Sequence, residues 1–200
     1  MTQPPAPWPR QALGSFLRTT CAFVEKKGLG APVRALVGPK TVALLDSPPM
    51  PFRWVDSHAI DEIEAALLQI GGADLCHALG RELSVAIGGS LVQPVLRAAF
   101  LMFGETAETV LANLDRFFAL PIRGITFTWT ASGKGSGVVE ARFEGPDVPD
   151  GALYVLRGSL DWVFTDLLRQ PGTIGAPRVL VRNEKGTRAA FSVVYGPGRP

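Results

Sequence analysis

Cys76-His77 is the adjacent pair in this sequence that could suggest a catalytic or metal centre, joining a thiol to an imidazole. Neighbours on a helix point about 100° apart, so the two cannot act on each other. Zinc would need two or three further ligands, and the only other imidazole and thiol are His58 and Cys21. The expectation is a buried thiol beside a surface imidazole. His58 stands near Asp61 and Glu62 and reads as a solvated residue in the first turn of a helix, with Asp56 and Ser57 as its caps. The stretch "SGKGSG" at 132–137 has the glycines and lysine of a phosphate cradle, but it lacks the Walker spacing and joins two strand patterns, so it is a turn. Arg81, Glu82 and Arg157 could reach toward a pocket or a partner, although charged residues near helix ends usually stay in water.

The bulk composition narrows the function classes. The chain has 200 residues, 46% of them hydrophobic and 19% charged, enough to bury a sizeable core without disulfides or metals. Twenty Lys plus Arg against 18 Asp plus Glu give a net charge of +2, so there is no basic footprint for nucleic acid. The longest apolar runs, such as "PVLRAAFLMFG" at 94–104, fall well short of the ~20 residues of a spanning helix. The start, "MTQPPAPWPRQ", has no apolar signal region, and residues 1–9 are expected to form a flexible Pro-rich arm. Two cysteines in a chain of this size fit reduced buried thiols and a cytoplasmic setting.

The elements that must position any site follow from periodicity. Leu13, Phe16, Leu17, Cys21 and Val24 recur at helical spacing up to Gly28, and "APVRALVGPKTVALLDSPPMPF" suits short helices leading into an irregular crossing. Ile60, Ile63, Leu67 and Ile70 mark one face of a helix closed by Gly71-Gly72. A neighbouring helix carries Leu75, Leu79, Leu83 and Ile87 and ends at Gly88-Gly89. A third is expected from Ser90 through Phe103, and a fourth with Val110, Leu111, Leu114, Phe117 and Phe118.

At residue 124 the period changes to two. "GITFTWTA" alternates Ile125, Phe127 and Trp129 with threonines, and "VVEARFEG" returns after the Gly turn, giving an antiparallel pair. "LRGSLDWVFTDLLRQPG", residues 156–172, reads as an amphipathic helix, and "RVLVRNEKGTRAAFSVVYG" as a second hairpin. The expected fold class is α+β: a helical half, 10–120, packed on a four-stranded antiparallel sheet in a ββ-α-ββ half, 121–196, as a single domain over 10–196.

The run "YVLRGSLDWVFTDLLRQPG" followed by "RVLVRNEKGTRAAFSVVYG", with Gly158, Gly186, Phe191 and Val193, resembles the tail of 4-vinyl-reductase-type domains. Haem-nitric-oxide-binding domains and TRAPP-type transport subunits share that fold, so the resemblance, over residues 56–196, implies an α/β ligand-binding module, often dimeric. With "FRWVDSHAIDEI" the chain also looks like an uncharacterised myxobacterial paralogue family of about this length. The cysteines that 4-vinyl-reductase-type domains often carry in the last hairpin are missing from 178–195. A proximal His on a helix before the sheet and a Tyr-x-Ser-x-Arg clamp, which the haem-binding relatives need, are missing as well. No cofactor and no metal are therefore expected.

The expected function is that of a non-enzymatic regulatory or adaptor module, binding a protein partner or a small apolar ligand, and expected to form a homodimer. Its basis is the surplus of large apolar side chains near the junction of the halves: Phe100, Phe103, Phe117, Phe118, Phe127, Trp129, Trp162 and Phe164, with Arg157 at their edge. The competing class is an enzyme whose polar site residues lie far apart in sequence; the low His and Cys counts argue against it.

Overall fold

The computed structural model describes residues 9–88, 98, 100, 106–146 and 148–196. Its chain order is β1 (Gln11–Leu13), α1 (Gly14–Lys26), α2 (Gly30–Arg34), α3 (Pro39–Asp46), β2 (Trp54–Asp56) and α4 (His58–Ile87). Then come α5 (Ala107–Ala112), α6 (Leu114–Phe118), β3 (Ile122–Arg123), β4 (Ile125–Gly133), β5 (Ser136–Glu144), α7 (Asp150–Trp162), β6 (Gly172–Ile174), β7 (Arg178–Asn183) and β8 (Gly186–Tyr195). The α+β class is as expected, with helices first and an antiparallel sheet in the second half.

α4 is two helices in one span. Gly72 has φ 68° and ψ −164°, a conformation a side chain would resist, and it breaks the helix where the Gly pair predicts a stop. The Cys76 thiol reaches the Glu64 carbonyl at 3.7 Å, twelve positions away. Along a straight helix those residues would stand about 18 Å apart. The two arms therefore double back on each other, burying Ile60, Ile63 and Leu67 of one and Leu79 and Leu83 of the other.

β4, β5 and β8 pair antiparallel in that order, and the far edge of β8 is shared by β7 along its first half and β6 along its last residues. The short β6 makes a fifth strand beyond the four expected. It escapes notice because "GTI" is too brief to show a period. The β4–β5 turn is the predicted one: Gly133 pairs with Ser136, and Gly135 takes φ 76°. Val139, Ala141 and Phe143 of β5 and Ala189, Phe191 and Val193 of β8 face inward and are buried.

α7 begins at Asp150, six residues before the expected start, so the last two residues of the turn-rich "GPDVPDG", Asp150 and Gly151, already belong to the helix. Pro149 and Asp150 suit a first turn, and Gly151 is there because a side chain would overlap the Glu64 carbonyl. After Trp162 the helix widens into one π turn, Val163–Leu167, before Pro171 and Gly172. α7 is covered on both sides. Leu153, Leu156, Leu160 and Phe164 pack with the sheet, and Val155 packs with α1 and α4. Gly80 and Gly158 bring α4 and α7 together, since a Cβ at Gly80 would overlap the Val155 carbonyl and one at Gly158 the His77 carbonyl.

A second, small sheet, in order β2-β1-β3, is too short to be legible in the sequence, and it fixes the N-terminal segment. Gln11 pairs with both Asp56 and Arg123, and the Ser57 amide donates to the Arg10 carbonyl at 3.1 Å. Pro9, the last residue of the expected arm, packs where a Cβ on Gly145 would sit; residues 1–8 of that arm lie outside the described residues. The expected third helix falls mostly on 89–97, 99 and 101–105, also outside them, though Ala98 and Phe100 are helical. The expected fourth helix is divided into α5 and α6 at Asn113, whose φ of −116° is not helical.

Candidate ligand site at the junction of the two halves

Two adjoining cavities, each of about 60 Å³, lie between the helical half, α7 and the sheet. They share Phe16, Phe118, Ile122 and Ser159 as common wall. The outer chamber is apolar, walled by Leu83, Ile87, Leu114, Phe117, Trp162 and Leu167 among others. The inner chamber is apolar too, except where Arg10, Ser57, Asp61 and Glu64 converge.

That polar corner is built by the small sheet and the first arm of α4. β1 holds Arg10 over the start of the helix, and Ser57, Asp61 and Glu64 present themselves at helical spacing toward it. The Arg10 side chain, 2% exposed, donates through Nη2 to Asp61 Oδ2 at 2.6 Å and through Nε to Ser57 Oγ at 3.3 Å. Ser57 Oγ in turn donates to Asp61 Oδ2 at 3.1 Å. Nη1 of Arg10 is buried with no acceptor. Glu64 is buried, and burial together with the Asp61 charge raises its carboxyl well above the ordinary range, against the opposing pull of Arg10. Burial raises Asp61 as well, countered directly by the Arg10 and Ser57 bonds. Asp61 is therefore the ion-pair partner, and Glu64 is the carboxyl whose charged form burial disfavours more strongly.

The expected site residues divide among several places. Phe117, Phe118 and Trp162 line the outer chamber. Phe127 meets Phe118 at a tilt, with ring centres 4.6 Å apart, and supports the wall from the sheet side. Phe164 and Trp129 turn instead toward Tyr195, at 5.8 Å and 6.4 Å, and Phe164 is fully buried core. Phe100 packs against the sheet-side core, and Phe103 lies outside the described residues. Arg157 lines neither chamber; its Nε donates to the Ile174 carbonyl at 3.1 Å and ties α7 to β6.

Composition-led reading passes over Arg10, Asp61 and Glu64. One signal for Glu64 is present: it stands between Ile60, Ile63 and Leu67 on the buried stripe of its helix, where a carboxylate has no ordinary place. Arg10 follows the Pro-rich lead and carries no such mark.

The other candidate groups are engaged elsewhere. Cys21 and Cys76 are buried free thiols, pushed up by burial to about 11 and about 12. His77 is half-buried, not a surface residue: its Nε2 stands 3.5 Å from Asp161, which lies on α7, and burial lowers its pKa. His58 Nε2 is 3.3 Å from Glu62 Oε1 at the surface. Ser57 sits at the helix start, but its hydroxyl serves Arg10 and Asp61 instead of capping a helix amide. Asp56 does bond the His58 amide, at 3.2 Å. Arg81 bridges to Asp166 at 2.7 Å and Glu82 to Lys26 at 3.1 Å, both exposed pairs.

No protein-family model matches the sequence, and no curated protein is similar to it in sequence. Solved structures share its fold. An unliganded Fe(II) H-NOX protein variant from K. algicida is 11% identical, with a TM-score of 0.60 over 92% of this chain and 97% of that one. A T. tengcongensis H-NOX variant is 12% identical, with a TM-score of 0.57 over 92% of this chain and 98% of that one. A further structure, described as a probe of heme distortion in the H-NOX family, is 12% identical with a TM-score of 0.58. The chain therefore has the H-NOX fold, one of the resemblances read from the sequence.

Haem itself does not fit the described residues. Protein donors to haem iron are His, Cys, Met or Tyr, and none of the residues walling either chamber is one of these. Among the described residues no cluster of three or more His, Cys, Asp or Glu side chains could hold a metal. A ligand pocket usually measures roughly 300–1,000 Å³. Each chamber, at about 60 Å³, falls well short of that, and the two joined offer the bulk of a slender ring and chain, not of a macrocycle.

Proposed function

We propose that this chain is a non-enzymatic regulatory module that holds a small apolar ligand in the junction cleft. One observation carries the reading: a divided apolar cleft lies between the two halves, walled by Phe16, Phe117, Phe118 and Trp162, in a fold whose neighbours are described as H-NOX proteins. The Ser57 hydroxyl and Asp61 carboxylate that meet in the cleft are both held by Arg10. The cleft's one ion pair is internal and balanced, which suits binding better than turnover. A ligand here touches α1, α4, α6 and α7 at once, so occupancy would bias how the helical half sits on the sheet.

Titration with pentylbenzene tests this. The expected result is a saturable change in tryptophan emission that Trp162→Phe abolishes while calorimetry still reports binding. Heat and emission that change only linearly with concentration would overturn it.

A further inference from the structure

The polar corner of the inner chamber has an open hydrogen-bonding valence, and its chemistry selects a head group. This step rests on the cleft being a ligand site. Arg10 presents a buried, unpartnered Nη1, and Glu64, three residues beyond Asp61, walls the same chamber. A buried donor left without a partner has lost its water and gained nothing in return, so an acceptor delivered there gains more than it would at an open surface. The charges are already matched. Arg10 has Asp61 at 2.6 Å, so an anionic ligand would set a third carboxyl against one guanidinium in a place with little water.

We infer that the cleft takes an uncharged amphiphile, with a carbonyl or hydroxyl oxygen accepting from Arg10 Nη1 beside Glu64 and an apolar body running past Phe118 toward Trp162. The Glu64 carboxyl, whose neutral form burial favours, stands beside that oxygen, where its neutral form can donate to it or accept from a hydroxyl. Binding needs no covalent step.

Three probes of one shape separate the possibilities by calorimetry at neutral pH: pentylbenzene, the methyl ketone with the same phenylalkyl body, and phenylbutanoate. The inference expects the ketone to bind roughly tenfold tighter than pentylbenzene, the factor worth about one hydrogen bond, and phenylbutanoate to bind more weakly than the ketone by at least that factor. Glu64→Leu should bring the ketone down toward pentylbenzene, and Glu64→Gln, which keeps a donor and an acceptor, should hold the wild-type order. Since the three-probe ranking uses unaltered protein, it stands even if a variant fails to fold. Equal binding of ketone and pentylbenzene, or tighter binding of phenylbutanoate, would overturn the head-group inference and leave the apolar cleft intact. Failure of all three to bind would overturn both.

Discussion

Gly80 lies directly beneath the Val155 carbonyl, so that a single methyl group on α4 would collide with the backbone of α7. The same holds for Gly158 under the His77 carbonyl. These contacts set how closely the two helices approach, and through Ser159, whose hydroxyl donates to the Gly80 carbonyl at 3.1 Å, they set one wall of the cleft.

Gly80→Ala and Gly158→Ala are therefore each expected to destabilise the protein by about 1–3 kcal/mol, the usual cost of overpacking. Gly196→Ala, where a Cβ would meet nothing within 4 Å, should stay within about 0.5 kcal/mol of wild type. Urea unfolding followed by circular dichroism measures all three. A Gly80→Ala variant as stable as the Gly196 control would show that the helices have room to separate.

Glu64 gives stability a definite pH dependence. In the unfolded chain its carboxyl titrates at the ordinary value near 4.5, whereas burial keeps it protonated well above that in the folded chain. The folded state then holds the extra proton, so this group's contribution is full below the ordinary value and is lost as the pH rises toward the folded one. The slope is at most about 1.4 kcal/mol per pH unit. Glu64→Gln should flatten the fall above about pH 5 and be the more stable protein at the alkaline end of the curve. Parallel wild-type and variant curves would place the titrating group elsewhere.

Arg10→Met strands the Asp61 carboxylate without its partner and should cost about 3–5 kcal/mol. Adding Asp61→Leu should recover most of that, because the buried charge is gone and the chamber wall becomes apolar. A double variant no better than the single one would mean that Arg10 matters through the small sheet rather than through its charge.

The two thiols should be unreactive in the native state, being buried and pushed up to about 11 for Cys21 and about 12 for Cys76. Labelling with a disulfide reagent at neutral pH should follow the rate of opening, and rise to the free-thiol rate in denaturant. Rapid native labelling of Cys76 would contradict the doubled-back arrangement of α4, where its thiol meets the Glu64 carbonyl.

Much of the fold was legible because its longer elements bury one face each. The threonine alternation of β4, the Gly stop at Gly72 and the stripe of α1 all follow from period and punctuation. What stayed hidden was short or tertiary in origin. β1, β2, β3 and β6 have three residues or fewer, too few for any period. The early start of α7 was masked by Pro149 and Gly151, which read as turn residues until the Glu64 carbonyl explains the glycine. The aromatic surplus marked the outer chamber through Phe117, Phe118 and Trp162, yet could not separate them from Phe164, which is core. The polar corner was least visible: Arg10 and Asp61 stand fifty-one positions apart, and only the small sheet joins them.

The central claim is that the junction cleft holds an apolar organic molecule and not haem. Native mass spectrometry of the freshly purified protein, grown with a haem precursor supplied and paired with its absorption spectrum, tests it most directly. The account predicts a bound low-mass organic species that leaves on mild activation, with no Soret band. A stoichiometric iron porphyrin with a Soret band would contradict it.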